Sequence, residues 1–109
     1  MASIKFLVQG SSDEPHEVHF QKDGNRLSAF CTCSAGQNGQ HCKHRMQIFS
    51  GVADGIVSGN GDQVSTVVEW LAGTEVASAI ASLEAAERGL DLAKKAVSSA
   101  KKHLSAVMR

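Results

Sequence analysis

The chain has 109 residues, 42% of them hydrophobic, and its eleven basic side chains balance eleven acidic ones for a formal net charge of zero. That length admits one small domain rather than two ordinary ones, and a balanced charge argues against a sequence-blind nucleic-acid binder, which depends on excess Lys and Arg. No stretch is apolar enough to span a membrane, and residues 1–9 reach the polar Gln9 too soon for a signal peptide, so an uncleaved, cytoplasmic protein is expected.

Residues 4–9 alternate weakly and read as a first strand, followed by a polar turn over residues 10–15. Residues 16–21 alternate more clearly, with Val18 and Phe20 on one face, the period of a half-buried strand. His16 and His19 fall on opposite faces of that strand and read as ordinary strand side chains. Asp23-Gly24 marks a tight turn, because Gly tolerates positive φ and Asp can bond the local backbone. Residues 26–32 then return as the antiparallel partner and deliver Cys31 and Cys33 at their end.

All three cysteines lie between residues 31 and 44, as the pairs Cys31/Cys33 and Cys42/His44 with a polar, Gly-containing loop between them. This is the ligand inventory of a structural zinc site. Residues two apart in an extended segment project from one face, so each pair can turn both donors toward one point. Three thiolates and one imidazole complete a tetrahedron and leave no open position for a substrate or water. The competing reading, a disulfide, fits poorly: a ring closed between Cys31 and Cys33 is strained, and an odd cysteine count leaves one thiol over. His41 is a substitute ligand in principle, but it adjoins Cys42 and neighbouring side chains diverge, so His44 is preferred and His41 is expected to be solvated.

The order Cys-x-Cys, eight residues, Cys-x-His resembles the SWIM-type zinc finger. The likeness covers roughly residues 15–50 and includes the apolar Phe30 before the first cysteine and Met46-Gln47-Ile48-Phe49 after the histidine. It implies a binding module that contacts DNA or protein. The loop over residues 34–40 can turn its backbone N–H groups onto the thiolates, and Lys43 and Arg45 can offset their charge. A short helix over residues 43–49 is expected to lay Met46 and Phe49, or Ile48, over the hairpin and to end at Ser50-Gly51.

Residues 51–61 hold four glycines and read as a loop or irregular strand around Ile56-Val57. Asp62 is the expected N-cap of a helix over residues 63–72, with Val64, Val67, Val68 and Leu71 on one face and Trp70 as the largest buried side chain. Gly73 closes that helix and Thr74 caps the next.

From residue 75 to 108 a seven-residue rhythm runs unbroken. Val76, Leu83, Leu90, Val97 and Leu104 recur at one core position, and Ala79, Ala86, Ala93, Ala100 and Val107 at the other, which defines an oligomerisation seam. Such a helix is about 50 Å long, against about 35 Å for a compact domain of this size, so it must project from its own domain or break. Its first half carries Glu75, Glu84, Glu87 and Asp91 against Arg88, and its second half carries Lys94, Lys95, Lys101, Lys102 and Arg109 without an acid. Two copies laid antiparallel bring acidic half to basic half, which predicts a homodimer; the alternative is a break near Gly89 and a hairpin folded back on the zinc module.

The expected fold is therefore α+β: a zinc-stapled ββα finger over residues 1–50, a Gly-rich loop and short helix over 51–74, and the long helix over 75–109. No nucleophile–base pair, carboxylate dyad or phosphate loop is present, so an enzyme is not expected. The leading reading is an adaptor or inhibitor that holds one structural Zn2+ and works through protein contacts. The alternative is a DNA- or RNA-binding regulator that uses Lys43, Arg45, Lys101 and Lys102.

Overall fold

Strand alternation builds the first layer. The computed structural model describes residues 1–10 and 13–109; the turn expected over residues 10–15 lies partly outside them. Strands β1 (Ala2–Val8), β2 (His16–Asp23) and β3 (Arg26–Cys31) form an antiparallel sheet in sequence order. Val18 pairs with Phe6 on one side and Cys31 on the other, so the period of two puts Phe6, Val18, Phe20, Leu27 and Cys31 on one buried face. The β2–β3 turn is Gly24-Asn25, one residue later than the Asp23-Gly24 pair expected. Gly24 has φ +60° and Asn25 keeps a negative φ, while Asp23 and Arg26 pair across the strands.

Helices α1 (Ser34–Gln37) and α2 (Lys43–Phe49) follow, then a 3-10 turn over Gly61–Gln63 that runs into α3 (Val64–Leu71). The segment over residues 34–40, expected as a plain loop, thus contains one helical turn. Ile48 and Phe49 of α2, with Val64 and Val67 of α3, complete the core, whereas Met46 is only half-buried. Phe20 stands edge-on to both Phe6 and Phe49, with ring centroids 5.9 and 5.1 Å away. Phe20→Ala is expected to cost about 3–5 kcal/mol. Denaturant unfolding of the metal-loaded protein measures it, and a loss under about 1 kcal/mol would remove Phe20 from the centre of the core.

Helix α2 ends as its sequence dictates. Gly51 takes φ +84°, its N–H bonds the Ile48 carbonyl at 3.0 Å, and the Val52 N–H reaches the Gln47 carbonyl at 2.9 Å. Residues 51–61 form a strap rather than a free loop. Ile56 bridges to Val8, the Val57 N–H bonds the Leu7 carbonyl at 2.8 Å, and Asn60 Nδ2 donates to the Lys5 carbonyl at 2.9 Å. Ser58 Oγ accepts from the Leu7 N–H at 3.1 Å, so the outward polar groups of Leu7 and the Lys5 carbonyl find partners.

Two expectations about α3 are corrected. Asp62 does not cap it: Asp62 lies inside the 3-10 turn, which carries the chain smoothly into α3, and Ser65 Oγ donates back to its carbonyl at 3.1 Å. Trp70 is only half-buried, because α3 turns Val64 and Val67 inward as it packs against α2, and the largest fully buried side chains include Phe6, Phe20 and Ile48. Gly73, at φ +75°, closes α3 as expected, and buried Thr74 caps α4 (Glu75–Val107) by accepting the Ala77 N–H at 3.3 Å.

The chain forms two compact units, Met1–Ala77 and Ser78–Arg109. The Gly-rich strap and α3, expected as a segment apart from the finger, pack within the first unit. Helix α4 runs without interruption through Gly89, so the break required for a hairpin does not occur. From Leu83 onward its large seam residues are exposed: Leu90 by 55%, Val97 by 53% and Leu104 by 56%. No helix among the described residues is long and apolar enough to cross a membrane.

Candidate metal centre

Cys31 is the last residue of β3, on its buried face. The chain stays extended through Cys33, at φ −65° and ψ 162°, so both sulfurs turn to the same side. Cys33 is also the N-cap of α1: the Gly36 N–H donates to its Sγ at 3.3 Å. Cys42, extended at φ −128° and ψ 124°, precedes α2, and His44 sits in the first turn of that helix. Strand end and helix start thereby deliver two donors each, and all four residues are buried.

The donor atoms converge. His44 Nδ1 lies 3.7 Å from Cys31 Sγ and 3.6 Å from Cys42 Sγ, and the Cys33 and Cys42 sulfurs are 3.3 Å apart. All four fall within 4.8 Å of one another, so they could hold one metal ion. A tetrahedron with metal–sulfur bonds near 2.3 Å and a metal–nitrogen bond near 2.0 Å has edges of roughly 3.5–3.8 Å, which these separations bracket. The three cysteines are free, so the disulfide alternative drops out. His41 is exposed, as expected of a solvated loop residue.

Electrostatics agree with a cation among these groups. Burial pushes the Cys31 thiol up to about 12, so a thiolate there needs a positive partner. Burial also raises Cys42, but the backbone amides of Arg45 and His44 and the neighbouring thiols outweigh it and bring the group below its ordinary value. Burial lowers His44, with the charges of His16 and Lys43 adding to the effect, which keeps its imidazole neutral and able to ligate.

Three contributors escaped the sequence reading. His16 packs its ring on His44 with centroids 4.8 Å apart, because Val18 sets the phase of β2 and residue 16 shares its face. Gly10 approaches so closely that an added Cβ would lie 3.3 Å from His44 Nε2 and 3.2 Å from His16 Cδ2. Gly36 is tighter: a Cβ there would lie 2.9 Å from Cys31 Cβ and 3.0 Å from its carbonyl carbon, and against its carbonyl oxygen. The one available signal was a small residue three places after Cys33, where a helical turn must close against the strand it has just left.

The remaining sequence-derived positions do not gather at one site. Arg45 donates to the Ala29 carbonyl at 3.1 Å and to the Gln40 carbonyl, tying α2 to β3 and to the loop. Lys43 is exposed beside the centre, and Lys101 and Lys102 are exposed on α4. Phe30, 59% exposed, lies on the sheet face opposite the core, where it pairs with His19. No family model, curated protein or solved structure matches the chain.

Proposed function

We propose that the chain is a non-enzymatic, zinc-stapled protein-interaction module, an adaptor or inhibitor, that pairs with a second copy of itself through α4. The observation that carries this reading is the combination of a closed Cys3His donor set with a continuous helix whose heptad seam is exposed. Three sulfurs and one nitrogen arranged tetrahedrally suit Zn2+, and four protein ligands leave no position for a substrate. The ligand order, similar to that of SWIM-type fingers, supports a recognition role for the first unit. Thiolates kept for a metal fit a reducing compartment such as the cytoplasm.

Protein contact is preferred over nucleic acid. Arg45, one of the cations a phosphate contact would need, already has donors on two backbone carbonyls, and Lys101 and Lys102 lie on a helix without Phe, Tyr or Trp to stack on bases. The expected composition is one zinc per chain by elemental analysis. In sedimentation velocity the wild type should run as a dimer and Leu90→Asp as a monomer with its zinc retained, since Leu90 contributes nothing to the core. A wild type that remains monomeric at every concentration overturns the self-pairing.

A further inference from the structure

We infer, resting on the self-pairing just proposed, that the two α4 helices lie antiparallel in one close-packed register, with Leu90 of each copy against Ala93 of the other and Glu87 beside Lys94. The seam itself supplies the first argument. Large residues occupy one core position and Ala the other from Leu83 to Leu104. In a parallel pair like meets like, so Leu-on-Leu levels would alternate with Ala-on-Ala levels, and straight helices cannot satisfy both spacings without voids. Antiparallel helices place Leu90 against Ala93 and Leu83 against Ala100, so every such level has the same thickness, and the axes can approach toward the lower end of 8–10 Å.

The residues flanking the seam supply the second argument. On one side lie Ser82, Gly89 and Ala96, and on the other Glu87, Lys94 and Lys101. A parallel pair would set each of these charges beside a small residue and join no opposite charges. The antiparallel register brings Glu87 of each copy alongside Lys94 of the other, twice by symmetry. Sliding by one heptad sets Glu87 beside Glu87 in one direction; in the other it keeps Glu87 opposite Lys101 but adds a Lys94–Lys94 repulsion, and either slide leaves seam residues at the ends uncovered.

Gly89 fits the same arrangement. Glycine inside a helix costs about 1 kcal/mol relative to Ala, yet a Cβ at this position meets nothing within 4 Å in its own chain and φ is not positive. The small flank that Gly89 forms with Ser82 and Ala96 gives room for the partner's backbone, which the chain alone does not require.

The test is a charge exchange on exposed positions, with full-length, metal-loaded protein. Glu87→Lys and Lys94→Glu should each weaken self-association at least tenfold in sedimentation equilibrium. Mixing the two variants should restore it, because Lys at 87 then faces Glu at 94 at one contact and Glu87 faces Lys94 at the other, and native mass spectrometry should show the mixed dimer in excess over either self-pair. If the wild type pairs but the mixture behaves as the sum of its components, this register is refuted and the self-pairing stands. If the wild type does not pair at all, both fall, and the seam belongs to a helix of a different protein.

Discussion

Removing the metal, by chelation or by Cys42→Ala, should unfold the Met1–Ala77 unit. The unit's core is small, with Phe6, Val18, Phe20, Ile48 and Val67 as its largest fully buried side chains. Domains of this size hold only about 5–15 kcal/mol of net stability, whereas structural zinc contributes an apparent 10–16 kcal/mol or so in small fingers at neutral pH. The ion term is therefore comparable to the whole net stability of such a unit, and its loss leaves little to hold the fold. Cys31, Cys33, Cys42 and His44 join the end of β3 to the start of α2, and without an ion four buried polar groups remain, one of them a thiol with its pKa near 12. Limited proteolysis of the chelated protein should cut within residues 1–77, at sites protected in the metal-loaded form. Acid acts in the same direction, because the ligands must lose protons to bind. Equal protease resistance with and without metal would refute the staple.

Among changes that touch no ligand, Gly36→Ala should be the most damaging to metal binding. Its Cβ would stand 2.9 Å from Cys31 Cβ and against the Cys31 carbonyl, and neither can yield without moving a ligand or the strand end that carries it. The same shift would draw the Gly36 N–H away from Cys33 Sγ, where it donates at 3.3 Å. A loss of metal affinity of tenfold or more is expected in a competition titration, with each tenfold equal to about 1.4 kcal/mol. Gly10→Ala is the milder internal comparison: the atoms nearest its Cβ are in the rings of His16 and His44, at 3.2 and 3.3 Å, and the His44 contact is at Nε2 rather than at the Nδ1 that faces the sulfurs, so a shift of a few tenths of an ångström suffices. Wild-type affinity in Gly36→Ala would show that the turn over Ser34–Gln37 does not set the ligand geometry.

The site and most of the elements were legible because their causes are local. Cys31 and Cys33 share a face by strand period alone, α2 ends at Phe49 because Ser50-Gly51 closes it, and the Gly73-Thr74 junction closes one helix and opens the next. What was missed depends on partners distant in sequence. Trp70 has the size to dominate a core, but where it points is decided by α3 docking through Val64 and Val67. His16 looked like any strand histidine, and only the pairing of Val18 with Phe6 and Cys31 turns its face toward His44. The role of Gly36 needs the return of a helical turn onto β3, which no residue count reveals.

The strap along β1 has one more consequence. A sheet margin with bare amides and carbonyls invites foreign strands and, in concentrated solution, fibrils. Here Leu7 and Lys5 already have partners in residues 57–60, and on the opposite margin the guanidinium of Arg45 sits over the Ala29 carbonyl. Strand addition at Lys5–Leu7 must therefore first displace the strap, and at Ala29 the Arg45 guanidinium, which disfavours amyloid growth from these two points.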